Sequence, residues 1–184
     1  MKKHFFGLAL LAVVSMPAYA EGIYVFADIG NSKFSLDTTE DDLSKTDTAR
    51  ALGLGYALSK TFAFEVAYRD FGSVISYNIL LSGSAHVDEH AINASVITKY
   101  PINDAVDIFG RLGAAKLTID DEYRSSPSPE DNYSTSTSGT KVFYGVGATY
   151  SIDNHFGLRA EYNRYAEFQN LTTSTLTFGA VYSF

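Results

Sequence analysis

Apolar and polar residues alternate with a period of two along most of the chain, the spacing at which successive side chains of an extended strand leave on opposite faces. In the last stretch, Leu171 to Phe184, Leu176, Phe178, Ala180, Tyr182 and Phe184 share one face, with Thr175, Thr177, Gly179, Val181 and Ser183 on the other. Seven earlier segments repeat the pattern. From about Gly22 to Phe34 the aligned apolar residues are Ile23, Val25, Ala27 and Ile29. Thr48 to Ser59 sets Leu52, Leu54, Tyr56 and Leu58 against Ala51, Gly53, Gly55 and Ala57. Only Lys60 and Thr61 separate it from a hairpin partner in which Phe62, Phe64, Val66 and Tyr68 alternate with Ala63, Glu65, Ala67 and Arg69. Further strands are expected at about His86 to Tyr100, Ala105 to Thr118, Thr140 to Ile152 and His155 to Phe168. No helical period competes with these eight segments.

The connections have their own order. Lys60-Thr61, Pro101 to Asp104 and Asp153-Asn154 are tight, and a brief polar link at Gln169 and Asn170 precedes the last strand. The others are long and polar: an acidic one from Ser35 to Asp47, a Ser, Asn and Gly-containing one near Val74 to Ala85, and a Ser/Thr/Pro-rich one from Ile119 to Gly139 that reads as a mobile, solvated loop. Short turns on one side and long connections on the other suit a membrane barrel with one end facing the cell exterior. Each strand is about as long as the roughly 9 to 11 residues of a tilted bilayer crossing.

Side-chain volume decides which face meets lipid. Gly53, Gly55, Gly113, Gly145, Gly147, Gly157 and Gly179 share the polar face with a few long charged residues, whereas Phe, Tyr and Leu recur on the other. An eight-stranded barrel has room inside only for side chains, so the glycine face is expected inside and the aromatic set outside. Phe62, Tyr100, Tyr150, Phe156 and Phe184, all at the short-turn ends, would form one interfacial girdle. The fold expected is an all-β, eight-stranded, antiparallel up-and-down transmembrane β-barrel.

Composition adds the compartment. Lys2 and Lys3, an apolar run from Phe5 to Val14 and the small residues of Ala18-Tyr19-Ala20 read as a cleaved signal peptide over residues 1–20, leaving one domain over 21–184. The mature chain then carries 12 basic against 21 acidic residues, a balance that disfavours nucleic acid. With no cysteine, neither disulfides nor thiolate chemistry is available.

Four stretches carry a family resemblance: AFEVAYRDFG (Ala63 to Gly72), KYPINDAVDIFGRLGA (Lys99 to Ala114), FYGVGATYSI (Phe143 to Ile152) and LRAEYNRY (Leu158 to Tyr165). Through them the chain resembles the transmembrane domain of the outer membrane protein A family of Gram-negative bacteria. The resemblance implies localisation in the bacterial outer membrane and insertion by the barrel-assembly machinery, which would read the terminal Phe184 with Tyr182. With Phe184 last, it implies a barrel without the family's peptidoglycan-binding domain. It also implies an ion gate in which Glu65 and Arg159 match the closed-state pair. The alternative lysine and glutamate partners fall at Ile97 and Thr149, so the exchange has no second pair here.

Glu65, Arg111, Arg159 and Glu161 share the inward parity, with Asp28, Arg69 and Asp107 as further members of an expected network of Arg-carboxylate bridges, because lone charges in a narrow lumen are costly. Arg50, Lys116 and Arg164 face outward about ten residues from the short-turn ends, where they would reach lipopolysaccharide phosphates. Catalysis has little to stand on: His155 has no serine at strand spacing. His86, Asp88 and His90 alternate onto one face but make only three of a metal site's ligands. The chain is therefore read as a non-enzyme with no metal and no cofactor. Its partners would be outer membrane lipids, lipopolysaccharide and an extracellular host or cell-surface ligand. The expected role is structural and surface-interacting, through adhesion, colonisation or host-factor binding; the alternative is a small ion-conducting pore gated by internal salt bridges.

Overall fold

The computed structural model describes residues 22–36, 43–79, 83–124 and 133–184. The signal segment and the centres of the three long connections lie outside these. Eight strands follow in order: β1 (Gly22–Leu36), β2 (Leu43–Ala57), β3 (Phe62–Ile79), β4 (Gly83–Pro101), β5 (Val106–Arg124), β6 (Tyr133–Ser151), β7 (Phe156–Tyr165) and β8 (Leu171–Ser183). Each pairs antiparallel with the next, and β1 pairs with β8, which closes the barrel and leaves no sheet edge in the crossing.

Alternation sorts the side chains as the volumes require. Leu52 is 64% exposed and Phe178 59%, while Glu65 is 3%, Glu161 2% and Arg69 0%. An apolar exterior of this extent around a charged interior is stable only in hydrocarbon. Phe62, Tyr100, Tyr150, Phe156 and Phe184 all point outward.

The three tight turns share one build. Ser59, Asn103 and Asp153 each stand second after the last paired strand residue, and a side-chain oxygen of each accepts the amide N–H groups two and three positions on. The amides of Phe156 and His155 thereby hold the Asp153 carboxyl below its usual range. The fourth short link, between β7 and β8, is a two-residue hairpin at the opposite end. Gln169 and Asn170 both take positive φ, 54° and 60°, as its twist demands.

The long connections are shorter than their composition suggested. Of the segment Ile119 to Gly139, expected as a mobile loop, Ile119 to Arg124 completes β5 and Tyr133 to Gly139 begins β6, in register down to Tyr123 opposite Tyr133. Ile75 to Ile79 and Gly83 to Ala85 are likewise paired strand, and Leu43 to Asp47 pairs with β1. Above the membrane both faces are wet, so pairing persists without apolar alternation. The extension is lopsided. Pairing of β2 with β3 stops at Arg50 and Asp70, and that of β6 with β7 at Phe143 and Tyr165, so β3, β4, β5 and β6 rise above the barrel as a four-stranded sheet. At its base β3 bulges, where Gly72 adopts φ 79° and its N–H is accepted by Asp70 Oδ1.

Candidate functional site

Eight further aromatic residues lie on the inward side, apart from the outward set. Tyr24, Phe26, Phe34, Phe71, Phe109, Phe143, Tyr165 and Phe168 are buried in the lumen. Four of them fit because glycine stands opposite. Tyr24 pairs with Gly55, Phe26 with Gly53, Phe109 with Gly147 and Phe143 with Gly113. A β-carbon at Gly53 would lie 2.3 Å from the Phe26 ring, and one at Gly147 2.4 Å from Phe109. Each such glycine is the seat of a ring on the adjacent strand, an arrangement that also shields its bare backbone.

These rings make two apolar layers. Tyr24, Phe26, Ile97 and Phe109, with Ala57, Ala63 and Ala67, narrow the lumen toward the short turns. Phe34, Phe71, Leu117, Phe143, Tyr165 and Phe168 close it toward the extended strands, with Phe143 stacked on Tyr165 at 5.0 Å and Asn93 donating to the Tyr165 hydroxyl at 2.8 Å.

Between the layers lies the charge network. Glu65 accepts from Tyr24 Oη at 2.7 Å, from Arg159 Nη2 at 2.8 and 3.0 Å, and from Arg111. Glu161 accepts from Arg69 Nη2 at 2.5 Å, from Arg111 Nη1 at 3.2 Å and from Asn163 at 2.8 Å. Arg159 Nε lies 3.1 Å from Glu161 Oε2, close enough for ion pairing although its N–H is not aimed at that oxygen. The Arg159 guanidinium is also held between the Phe26 and Phe109 rings, 4.6 and 4.8 Å from their centres. Asp28 joins more loosely, 3.9 Å from Arg69 with no hydrogen bond to either oxygen. The six charges, Asp28, Glu65, Glu161, Arg69, Arg111 and Arg159, cancel, which is the condition for burying them together. One acid stands apart: Glu89 is buried and accepts from Thr173 at 2.8 Å, with no ion pair among the described residues.

The remaining sequence candidates scatter. Asp107 makes no ion pair with the network but lines, with Lys99, Thr149 and His155, a pocket of about 110 Å³ at the short-turn mouth that Glu65 and Arg159 also line. Arg50, Lys116 and Arg164 all point outward, but on β2, β5 and β7, so they do not converge. Tyr182 packs edge-on against Phe156 at 4.8 Å and Phe184 at 5.1 Å. His90 stacks near Tyr68 and lies 3.4 Å from Asp120. The side chain of His86 falls outside the described residues, among which no three histidines and acids gather as metal ligands would.

A profile of the outer membrane protein beta-barrel domain matches residues 6–184. The chain belongs to that family. It is a protein of the bacterial outer membrane. Neisserial surface protein A superposes with a TM-score of 0.70 at 17% identity, over 91% of this chain and 100% of its own. Ail, the attachment invasion locus protein of Yersinia pestis, solved with the heparin analogue sucrose octasulfate, gives 0.61 at 18% identity, over 89% and 99%. The N-terminal β-barrel domain of Pseudomonas aeruginosa OprF gives 0.57 at 12%, over 90% and 100%. At these identities the likeness is one of fold. No curated protein matches the sequence.

Proposed function

We propose that this outer membrane barrel is a non-enzymatic structural and surface-interaction protein whose projecting sheet engages an extracellular partner. The observation that carries the reading is the β3 to β6 sheet, whose β6 edge has no strand partner above Phe143 among the described residues, the link after β7 reaching it only where Ala166 N–H donates to the Val142 carbonyl and Phe168 lies against Gly139. An unpaired edge offers backbone donors and acceptors to an extended segment of another protein, and the edge sequence Ser134 to Gly139 is all hydroxyl or glycine, so little side-chain bulk obstructs pairing. Ail, of the same fold, is solved with a heparin analogue. Here Asp120 and Asp121 on β5 stand opposite Ser136 and Thr135 of the edge strand and favour a basic or neutral polypeptide over a sulfated glycan. Adhesion, colonisation and host-factor binding are the roles such a surface serves. Insertion by the barrel-assembly machinery through Phe184 and Tyr182, and contact of Arg50, Lys116 and Arg164 with lipopolysaccharide, belong to the same reading.

The test is to replace Ile119 to Gly139 by a short turn and score attachment of expressing cells to cultured epithelium and their survival in serum. Attachment is expected to fall about tenfold, the scale set by one to two kcal/mol of lost strand pairing, while the unboiled protein keeps its folded gel mobility. Unchanged attachment and survival would remove the basis of the proposal.

The pore reading is disfavoured by the filled lumen, since the short-turn pocket ends at Glu65 and Arg159 and the Phe71, Phe143 and Tyr165 layer stands beyond the ion network. In planar bilayers the refolded chain is expected to give no steady unitary current, and neither are Glu65→Ala and Arg159→Ala, because each leaves both layers in place. Regular channel steps in the wild type would reinstate the gate.

A further inference from the structure

Register shows that the outward cations at the top of the apolar belt are not equivalent. Arg164 on β7 pairs with Ser174 on β8, Ser174 with Lys33 on β1, and Lys33 with Thr46 on β2, so one ladder row runs Arg164, Ser174, Lys33, Thr46 across four neighbouring strands. Arg164, Lys33 and Thr46 are exposed and Ser174 is half-buried. At about 4.8 Å between strands, the α-carbons of Arg164 and Lys33 stand about 10 Å apart with the serine hydroxyl between them. Two long cationic side chains close that gap around a single tetrahedral group.

The level is set by the next row down, Tyr162, Leu176, Asn31 and Thr48, in which Tyr162 and Leu176 remain lipid-facing and exposed. The cation row thus lies at the upper boundary of hydrocarbon, on the side of the barrel where the strands stop short. The other side has the opposite sign. Arg50 is paired with Asp70, Asp70 with His90, and Asp88 stands opposite Asp120. Lys116, between Ile92 and Thr140, lies on that acidic side. Among the described residues no carboxylate pairs with Lys33 or Arg164.

We infer that Arg164, Ser174 and Lys33 form one binding site for a phosphate monoester on the headgroup of an outer-leaflet glycolipid. Two cations and a hydroxyl donor match a dianionic monoester, whereas a phospholipid diester brings a single negative charge. The site rests on the lipopolysaccharide-contact reading above and narrows it. Lys33 enters, and Arg50 and Lys116 lie outside the site.

The experiment titrates the refolded protein in detergent micelles with bisphosphorylated lipid A and counts bound lipid by native mass spectrometry, with fully dephosphorylated lipid A and phosphatidylglycerol as parallel probes. Unboiled gel mobility verifies that each variant is folded. Lys33→Ala with Arg164→Ala is expected to weaken lipid A about tenfold or more and to leave the dephosphorylated lipid unaffected. Ser174→Asp, which keeps both cations and places a negative charge between them, is expected to do the same. Arg50→Ala with Lys116→Ala is expected to change binding less than about threefold, the scale of exposed charge effects. If the Arg50 and Lys116 pair alone weakens lipid A, the site is wrong and the broader contact reading stands. If neither pair matters, both fall, and equal loss of phosphatidylglycerol would reduce the row to unspecific charge.

Discussion

Replacing Glu161 by alanine is expected to cost the barrel about 3–5 kcal/mol, the scale for stripping one partner from a buried ion network. The carboxylate meets Arg69, Arg111 and Arg159 at once, and its loss leaves three guanidinium groups in the lumen facing Glu65 and a distant Asp28. Urea unfolding of the refolded protein in detergent or lipid vesicles reads the effect as a lowered midpoint at unchanged slope. Glu161→Gln is expected to lose most of the same stability, because it keeps the shape and removes the charge. Glu89→Gln is the contrast. Among the described residues that acid meets only the Thr173 hydroxyl, so the amide keeps its shape and the hydrogen bond without an ionisable group to bury, and the midpoint is expected to hold or rise. Equal losses from Glu89→Gln and Glu161→Gln would show that charge pairing does not distinguish the two positions.

The second large effect comes from the ring seats. Phe26→Ala is expected to cost about 3–5 kcal/mol as a large-to-small change in a packed interior. Gly53→Ala is expected to cost about 1–3 kcal/mol, since the new β-carbon would displace the Phe26 ring from beneath Arg159 and crowd the Val66 carbonyl at 2.8 Å. Made together, the two changes should cost less than their sum by about 1–2 kcal/mol, because the methyl group at position 53 enters space the ring has left. The same urea midpoints measure all three variants. Strict additivity would mean that ring and glycine do not share a site.

The outward face was legible because a single strand displays it: Leu52, Leu54 and Tyr56 recur at every second position whatever lies beside them. The inward parity of Glu65, Arg111, Arg159 and Glu161 could be read in the same way, but which oxygen each guanidinium meets depends on register between strands. The ring layers were hidden for the same reason. Tyr24 and Phe26 share the parity of Asp28, which already marks them as inward, yet their fit becomes intelligible only once Gly55 and Gly53 stand across the ladder. The projecting sheet was missed on composition. Its Ser and Thr content resembles a loop, and strand periodicity fades wherever both faces are hydrated. Lys33 carried no signal in its own segment, since its significance comes from Ser174 and Arg164, which are 141 and 131 positions away in sequence.

All six members of the central network sit on odd-numbered strands: Asp28 on β1, Glu65 and Arg69 on β3, Arg111 on β5, Arg159 and Glu161 on β7. Hairpin neighbours therefore never neutralise one another; Arg111 reaches Glu65 and Glu161 from 46 and 50 residues away, and Arg159 reaches Glu65 from 94. A partly assembled sheet entering the bilayer would hold bare guanidinium and carboxylate groups against acyl chains. Arg111 can meet Glu65, and Arg69 Asp28, before β7 arrives; β7 then brings one charge of each sign, and Glu161 ties Arg69 to Arg111 while Arg159 ties Glu65 to Glu161. The complete set of ion pairs therefore exists only in the closed lumen, so burial of these charges and closure of the barrel favour one another.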